Sequence, residues 1–276
     1  MKIKNDIKLI GVDLDGTLLR DDKTLCPNAE SIIKAAVQKG MHFVPITGRP
    51  YSGIPDCIRK IDEIEYYICS NGAQIMDAKS EKPLFSFSLD HAQTLKIINL
   101  LKDTDYMFEV FAHGAGYINH QLFDYYKQIY TGTPVGEYIF SSRKVVENVF
   151  TLFENAESRA DEVFVICKSY EHREKLKKIM SQLDDVQFCC LADRFFEITK
   201  YNTDKGHALE VLCNFLNIDL KNTIAFGDGE NDIEFLQKAG VAVAMENAFD
   251  GIKENADIIA KSNNDNGVCE IIKELL

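Results

Sequence analysis

The chain has 276 residues, 46% hydrophobic and 27% charged, a globular balance that excludes a disordered or fibrous protein. At roughly 150 residues per domain, the length implies about two domains. Asp and Glu number 43 against 31 Lys and Arg, and the formal charge of -12 argues against nucleic acid and anionic membrane as partners.

The opening Met1-Lys2-Ile3-Lys4-Asn5-Asp6 has neither a secretory hydrophobic core nor a small-residue cleavage site, and no apolar run approaches the roughly 18 residues of a membrane span. A cytoplasmic location is therefore expected. The apolar run Ile7 to Val12 predicts a buried parallel strand. Pro27 then opens a helical pattern with Ile32, Ile33, Ala36 and Val37 on one face and Gly40 as its stop. His42 to Ile46 and Tyr66 to Cys69 read as further strands, each ending in a Gly-containing loop. Strand and helix in alternation imply right-handed crossovers and a parallel sheet.

From Pro83 to about Leu191 the pattern changes. Phe108 to Phe111 and Val163 to Ile166 predict strands of a separate sheet, and Leu176, Ile179, Met180 and Leu183 form a helical stripe. The first grammar then resumes. Lys205 to Leu216 predicts a helix, Thr223 to Phe226 a strand, and Asp232 to Ala239 a helix stopped by Gly240. Val241 to Ala244 and Asp257 to Ala260 predict two more short strands. The expected architecture is a Rossmann-like α/β core in two parts, 1–82 and 192–276, with an inserted α/β domain at 83–191 joined by linkers near 81–84 and 191–195. Cys26, Cys57, Cys69, Cys167, Cys189, Cys190, Cys213 and Cys269 form no C-x-x-C pair and are expected to be reduced, small core residues.

The chemistry gathers at the predicted strand ends. In Asp13-Leu14-Asp15-Gly16-Thr17 the two acids stand two apart on an extended chain, so they point to one side just past the first strand. That is the end of an open α/β sheet where ligands bind. Two carboxylates so close raise a pKa unless a cation lies between them. Gly227-Asp228-Gly229-Glu230-Asn231-Asp232 repeats the arrangement after a later strand. Helix capping by Asp228 or Asn231 accounts for one of these acids, not two. Together the acids form an all-oxygen set suited to Mg²⁺. Thr47-Gly48-Arg49 offers a hydroxyl, backbone N–H groups and a guanidinium to an anionic group. Lys205-Gly206 opens the next helix with a charge that balances the acids.

These motifs, in this order, resemble the haloacid dehalogenase superfamily of phosphohydrolases, and more narrowly its Cof-type subfamily IIB. Ser70-Asn71-Gly72-Ala73, Val243-Ala244-Met245-x-Asn247-Ala248 and Gly267-Val268 are similar to secondary signatures of that branch, while Glu246 departs from the small residue usual there. The resemblance implies an insertion that acts as a cap. It implies Asp13 as nucleophile, Asp15 as general acid and then base, Thr47 as phosphoryl holder and Lys205 as charge neutraliser. Mg²⁺ would be held by Asp13, the Asp15 backbone carbonyl and Asp228, with Asp232 in support. Thr47, Gly48, Arg49, Asn71 and Asn231 would bind or position substrate. The expected activity is Mg²⁺-dependent hydrolysis of small phosphate monoesters, such as sugar phosphates, through an aspartyl-phosphate. The alternatives are phosphate transfer between sugar hydroxyls and a phosphoacceptor module without turnover. The partner is then a small phosphorylated metabolite, and the chain is expected to be a monomer or weak homodimer. In the cap, His113, Tyr117, His120, Tyr125, Tyr126 and Arg143 are candidate substrate contacts.

Overall fold

The computed structural model describes residues 6–102, 104–191 and 194–276. Contacts group the chain into two compact units. One runs up to Gly48 and continues with Ile54–Phe85 and Asp204–Leu276; the other comprises Arg49–Gly53 and Ser86–Thr203. Residues 192 and 193, inside the second expected linker, lie outside the described residues, as do residues 1–5.

In chain order the first segment forms β1 (Leu9–Val12), α1 (Ala29–Gln38), β2 (His42–Pro45), α2 (Asp56–Arg59), β3 (Tyr66–Cys69), β4 (Gln74–Asp77) and β5 (Lys82–Ser86). All four residues of β1 are buried, as a central parallel strand requires. Helix α1 starts two residues after Pro27 because Asn28 takes a left-handed φ of 69°, and it buries Ala29, Ile32, Ile33 and Ala36. The third expected strand behaves differently from the first two. β3 pairs antiparallel with β4 in a sheet ordered β3-β4-β5, while a parallel bridge of Ile46 with Ile68 ties it to the end of β2.

The insertion contains α3 (His91–Lys102), β6 (Met107–Ala112), β7 (Ala115–Asn119), α4 (His120–Tyr130), α5 (Pro134–Ser142), β8 (Arg143–Val146), β9 (Glu162–Ile166), α6 (Tyr170–Met180), β10 (Val186–Leu191) and β11 (Phe195–Lys200). Its sheet runs β10-β11-β9-β6-β7-β8. Val110, Val163, Val165, Phe196 and Ile198 cluster with Ile97, Ile98 and Leu101 of α3 and with Leu176 and Met180 of α6. Leu183 lies past the end of α6 but still packs on this cluster. A second cluster joins Ile118 and Ile166 to Leu122, Tyr126 and Ile139 of α4 and α5. A buried ion pair adds to it. Arg143 meets Glu109 in a two-pronged contact, Nε to Oε2 at 2.6 Å and Nη2 to Oε1 at 3.1 Å, and the Tyr126 hydroxyl donates to Oε1 at 3.3 Å. Arg143 and Tyr126 are thus structural members of the insertion. Tyr125 accepts a hydrogen bond from Arg194, and His120 sits exposed beside Glu147.

The last segment forms α7 (Lys205–Leu216), β12 (Thr223–Gly227), α8 (Ile233–Lys238), β13 (Val241–Met245), α9 (Asp250–Lys253), β14 (Ile258–Ala260) and α10 (Gly267–Leu275). A 3₁₀ turn over Glu230–Asp232 precedes α8, so that helix starts one residue later than the sequence pattern implies. The main sheet is parallel and ordered β14-β13-β12-β1-β2. From β1 the chain moves outward to β2 on one side, and later segments fill the other side from β12. β1 and β12 therefore flank the point where strand order reverses, which opens a crevice at their C-terminal ends.

Among the described residues no helix is long and apolar enough to cross a membrane. Cys26, Cys69, Cys167, Cys213 and Cys269 are buried and the other three cysteines half-buried, and none of the eight is in a disulfide.

The Arg143–Glu109 pair generates a test. Arg143→Met strands a buried carboxylate, at an expected cost of about 3–5 kcal/mol, read as a lower urea midpoint. Adding Glu109→Gln should recover most of it. An unchanged midpoint in the single variant would show that the pair does not hold the insertion together.

Candidate active site

Register places the acids. The Asp13 N–H donates to the Phe226 carbonyl at 3.0 Å, so Asp13 leaves β1 level with the end of β12. β12 ends at Gly227, and a Cβ there would lie 2.6 Å from the Asp232 Cβ. Only glycine lets Asp232 fold back over the strand end. Asp232 Oδ2 then accepts from the backbone N–H groups of Asp228 and Gly229 at 2.9 and 3.0 Å. Neither Asp228 nor Asn231 caps the following helix through its side chain; Asp232 braces the turn instead.

Lys205 is the first residue of α7, whose start is capped by Asp204 accepting from the His207 N–H at 2.7 Å. Its ammonium donates to Asp13 Oδ1 at 2.7 Å and to Asp232 Oδ1 at 2.6 Å, with Lys205 only 1% exposed. Gly206 lets this helix approach α8, since a Cβ would lie 2.5 Å from the Glu234 carbonyl oxygen. On the other side the Thr17 hydroxyl donates to Asp228 Oδ1 at 2.7 Å. Gly16, at a φ of 81°, lies so close that a Cβ would collide with Asp228 Oδ2.

Carboxylate oxygens of Asp13, Asp228 and Asp232 thus lie within 4.8 Å of one another. Three carboxylates against one ammonium leave two negative charges in a buried site. Burial pushes the Asp13 carboxyl well above its usual range; Lys205 opposes this, and Asp232 and Asp228 add to it. Burial and then Asp232 push Asp228 up to about 7, against the Thr17 hydrogen bond. Burial alone would lower Lys205, but Asp13 and Asp232 outweigh it and hold the ammonium firmly charged. The residues present therefore fit a divalent cation in both donor chemistry and charge.

The expected residues are not all placed alike. The carboxylate of Asp15 is outside the cluster formed by Asp13, Asp228 and Asp232. It turns to Lys23, with Nζ 2.6 Å from Oδ1, so the pair two apart does not share one position. Thr47 is buried past the end of β2, its N–H donating to the Ile68 carbonyl at 2.9 Å. Asn231 Nδ2 donates to Asn71 Oδ1 at 2.9 Å, and Gly48 packs against the same carboxamide. Arg49 groups with the insertion: its guanidinium lies 3.9 Å over the Tyr138 ring and donates to the Gly53 carbonyl at 2.8 Å.

Two supports escape the sequence reading. Lys23 is one; its left-handed φ of 64° sits in a tight reversal bridged by Leu19 and Leu25, and a lone Lys in a polar loop carries no sequence signal. Asn263 is the other. Its carboxamide donates to the Leu19 carbonyl and to Asp21, and its N–H donates to Asn247, which itself holds the Gly16 carbonyl at 2.7 Å. The polar run Ser262-Asn263-Asn264 before an apolar helix is the only trace of it in the sequence.

The family pattern described as haloacid dehalogenase-like hydrolase matches residues 10–272. Phosphatase YwpJ of Bacillus subtilis (strain 168) is 29% identical over 288 aligned residues, spanning 98% of this chain and 100% of the relative. The 5-amino-6-(5-phospho-D-ribitylamino)uracil phosphatase YitU of the same organism is 28% identical, with 96% of each chain covered. A solved haloacid dehalogenase-like hydrolase from B. subtilis superposes with a TM-score of 0.84 at 28% identity, covering 98% of this chain and 100% of that one.

Asp228 yields a pH prediction. Its value of about 7 in the fold exceeds the ordinary 3.8, so the folded chain binds the extra proton and the group's contribution is lost as pH rises through 7. In chelator-treated protein the denaturation midpoint should fall between about pH 5 and pH 8, and Asp228→Asn should flatten that fall. Equal slopes in the two proteins would show that Asp228 does not carry the proton.

Proposed function

We propose that the chain, which belongs to the haloacid dehalogenase-like hydrolase family and is a phosphatase, hydrolyses small phosphate monoesters through an aspartyl-phosphate on Asp13. One observation carries this reading: Asp13 stands at the reversal point of the sheet, 2.7 Å from a buried ammonium and beside two further acids. Asp232 shares the burial and the Lys205 partner, but its other oxygen is engaged by the backbone N–H groups of Asp228 and Gly229, which supports Asp13 as the attacking acid. The phosphorylated ribitylamino compound named for YitU supports phosphorylated sugars or sugar alcohols as the substrate class.

In the first step an Asp13 carboxylate oxygen bonds to phosphorus as the bond to the ester oxygen breaks. Asp15 gives its proton to that leaving oxygen, which departs as the alcohol. In the second step Asp15 takes a proton from water as the water oxygen bonds to phosphorus. The Asp13–phosphorus bond breaks, inorganic phosphate leaves and Asp13 is restored. Asp15 must first leave its ion pair with Lys23 to reach the leaving oxygen. Lys205 keeps its charge throughout and reduces the repulsion between Asp13 and the phosphoryl oxygens. The Thr47 hydroxyl and the N–H groups beside it hold the transferring group. Asp13, Asp228 and the Asp15 backbone carbonyl would hold Mg²⁺, which supplies charge neutralisation when bound. Asp232 stands behind them, its two oxygens engaged by Lys205 and by backbone N–H groups.

Asp13→Asn should cut turnover of p-nitrophenyl phosphate by roughly a thousandfold or more while the circular dichroism spectrum stays native. Retained turnover would remove Asp13 as nucleophile. Asp15→Asn should slow both steps and allow a phosphorylated protein to be trapped, visible by mass spectrometry. Chelation should abolish activity and Mg²⁺ should restore it; indifference to chelator would sink the metal assignment. Product analysis with added sugar acceptors distinguishes hydrolysis from transfer.

A further inference from the structure

We infer that the turn Ser70–Gly72 is a positioning element for the active site, and that Asn71 acts through Thr47 and Asn231, not by touching substrate. The inference rests on the roles proposed above for Thr47, Lys205 and Asp228.

The turn has an unusual backbone. Ser70, Asn71 and Gly72 follow one another at φ values of 48°, 51° and 97°. Left-handed backbone is disfavoured for any residue with a Cβ, less so for Asn and not for Gly. Such a run persists only where its surroundings over-determine it, and it recurs at functional sites. Here the surroundings are three supports of the site. The Asn71 N–H donates to the Thr47 carbonyl at 3.1 Å, tying the turn to the end of β2. Asn71 Oδ1 accepts from Asn231 Nδ2 at 2.9 Å, tying it to the loop that carries Asp228 and Asp232. Gly72 backs onto the start of α7, where a Cβ would collide with the Asp204 carbonyl one residue before Lys205.

One three-residue turn therefore meets the phosphoryl-holding loop, the acidic loop and the lysine helix. These segments lie far apart in sequence, so something must set their spacing. The carboxamide of Asn71 suits that task more than substrate contact. It is buried, its oxygen is held by Asn231, and Gly48 fits against it closely enough that a Cβ would lie 3.1 Å from Oδ1. Asn combines tolerance of left-handed backbone with a side-chain acceptor, a pairing that neither Gly nor Ala supplies.

The test uses Asn71→Gly, which keeps the backbone easy and removes the carboxamide, Asn231→Ala, which cuts the same link from the other loop, and the double variant. Each single variant should lower kcat by about tenfold and weaken Mg²⁺ binding to the substrate-free protein, measured by calorimetry. The double variant should be no worse than the poorer single one, because one link is lost in each. A substrate contact cannot alter metal affinity in the absence of substrate. KM rising alone with Mg²⁺ affinity unchanged, or losses in kcat that multiply in the double variant, would overturn the inference. Should Asn71→Gly fail to fold, Asn231→Ala decides alone: unchanged kcat and Mg²⁺ affinity would refute the tie. If the wild-type protein binds no divalent cation, the metal reading fails, and the coupling of the two variants in kcat still decides this one.

Discussion

Everything at this site depends on one buried ammonium. Lys205 lies between Asp13 and Asp232, 2.7 and 2.6 Å from their oxygens, with almost no water to share the charge. A lysine so buried is stable only because two carboxylates face it, and those carboxylates are tolerable only because it faces them. The third acid, Asp228, breaks that balance. It carries the site to a net deficit of two positive charges, and burial, with the Asp232 charge second, raises its carboxyl to about 7. In charge and donor type the arrangement fits a doubly charged cation.

The fold supplies the geometry for this at little cost in special structure. Asp13 and Asp228 are adjacent because β1 and β12 are in parallel register, Val12 opposite Phe226. Each acid is the first residue past its own strand pair. Small residues do the rest. Gly16 and Gly227 leave space that the carboxylates of Asp228 and Asp232 fill, and Gly206 brings the helix of Lys205 against α8. Side chains at any of the three would displace a charged group and not merely crowd the core.

Much of this was legible in the sequence, because the main parallel sheet writes itself in short apolar runs. β1, β2, β12 and β13 each appear as such a run, and Asp13 and Asp228 appear where β1 and β12 stop. What the sequence did not show follows from interactions between distant segments. Tyr66–Cys69 reads as another strand of the same kind, yet it pairs antiparallel with Gln74–Asp77 because a three-residue left-handed turn reverses the chain at once. Asp15 reads as a twin of Asp13, yet a loop lysine eight residues on holds it elsewhere. Arg49 reads as a companion of Thr47, yet its guanidinium packs on Tyr138, nearly ninety residues later. In each case the local pattern is correct about residue type, and a long-range partner decides orientation.

Charge and stability are consequently linked at this site. A cluster that is short of positive charge favours any cation that binds the folded chain and not the unfolded one, and the fold gains stability in proportion to the logarithm of that cation's concentration over its dissociation constant. Cation binding must also displace whatever proton Asp228 holds, so affinity rises with pH while the metal-free fold weakens. The two trends have one cause. The same carboxylates that would make the metal-free protein less stable at neutral pH are those that would hold a cation most strongly there. With a cation bound, a carboxylate such as Asp13 would be buried and ionised at once.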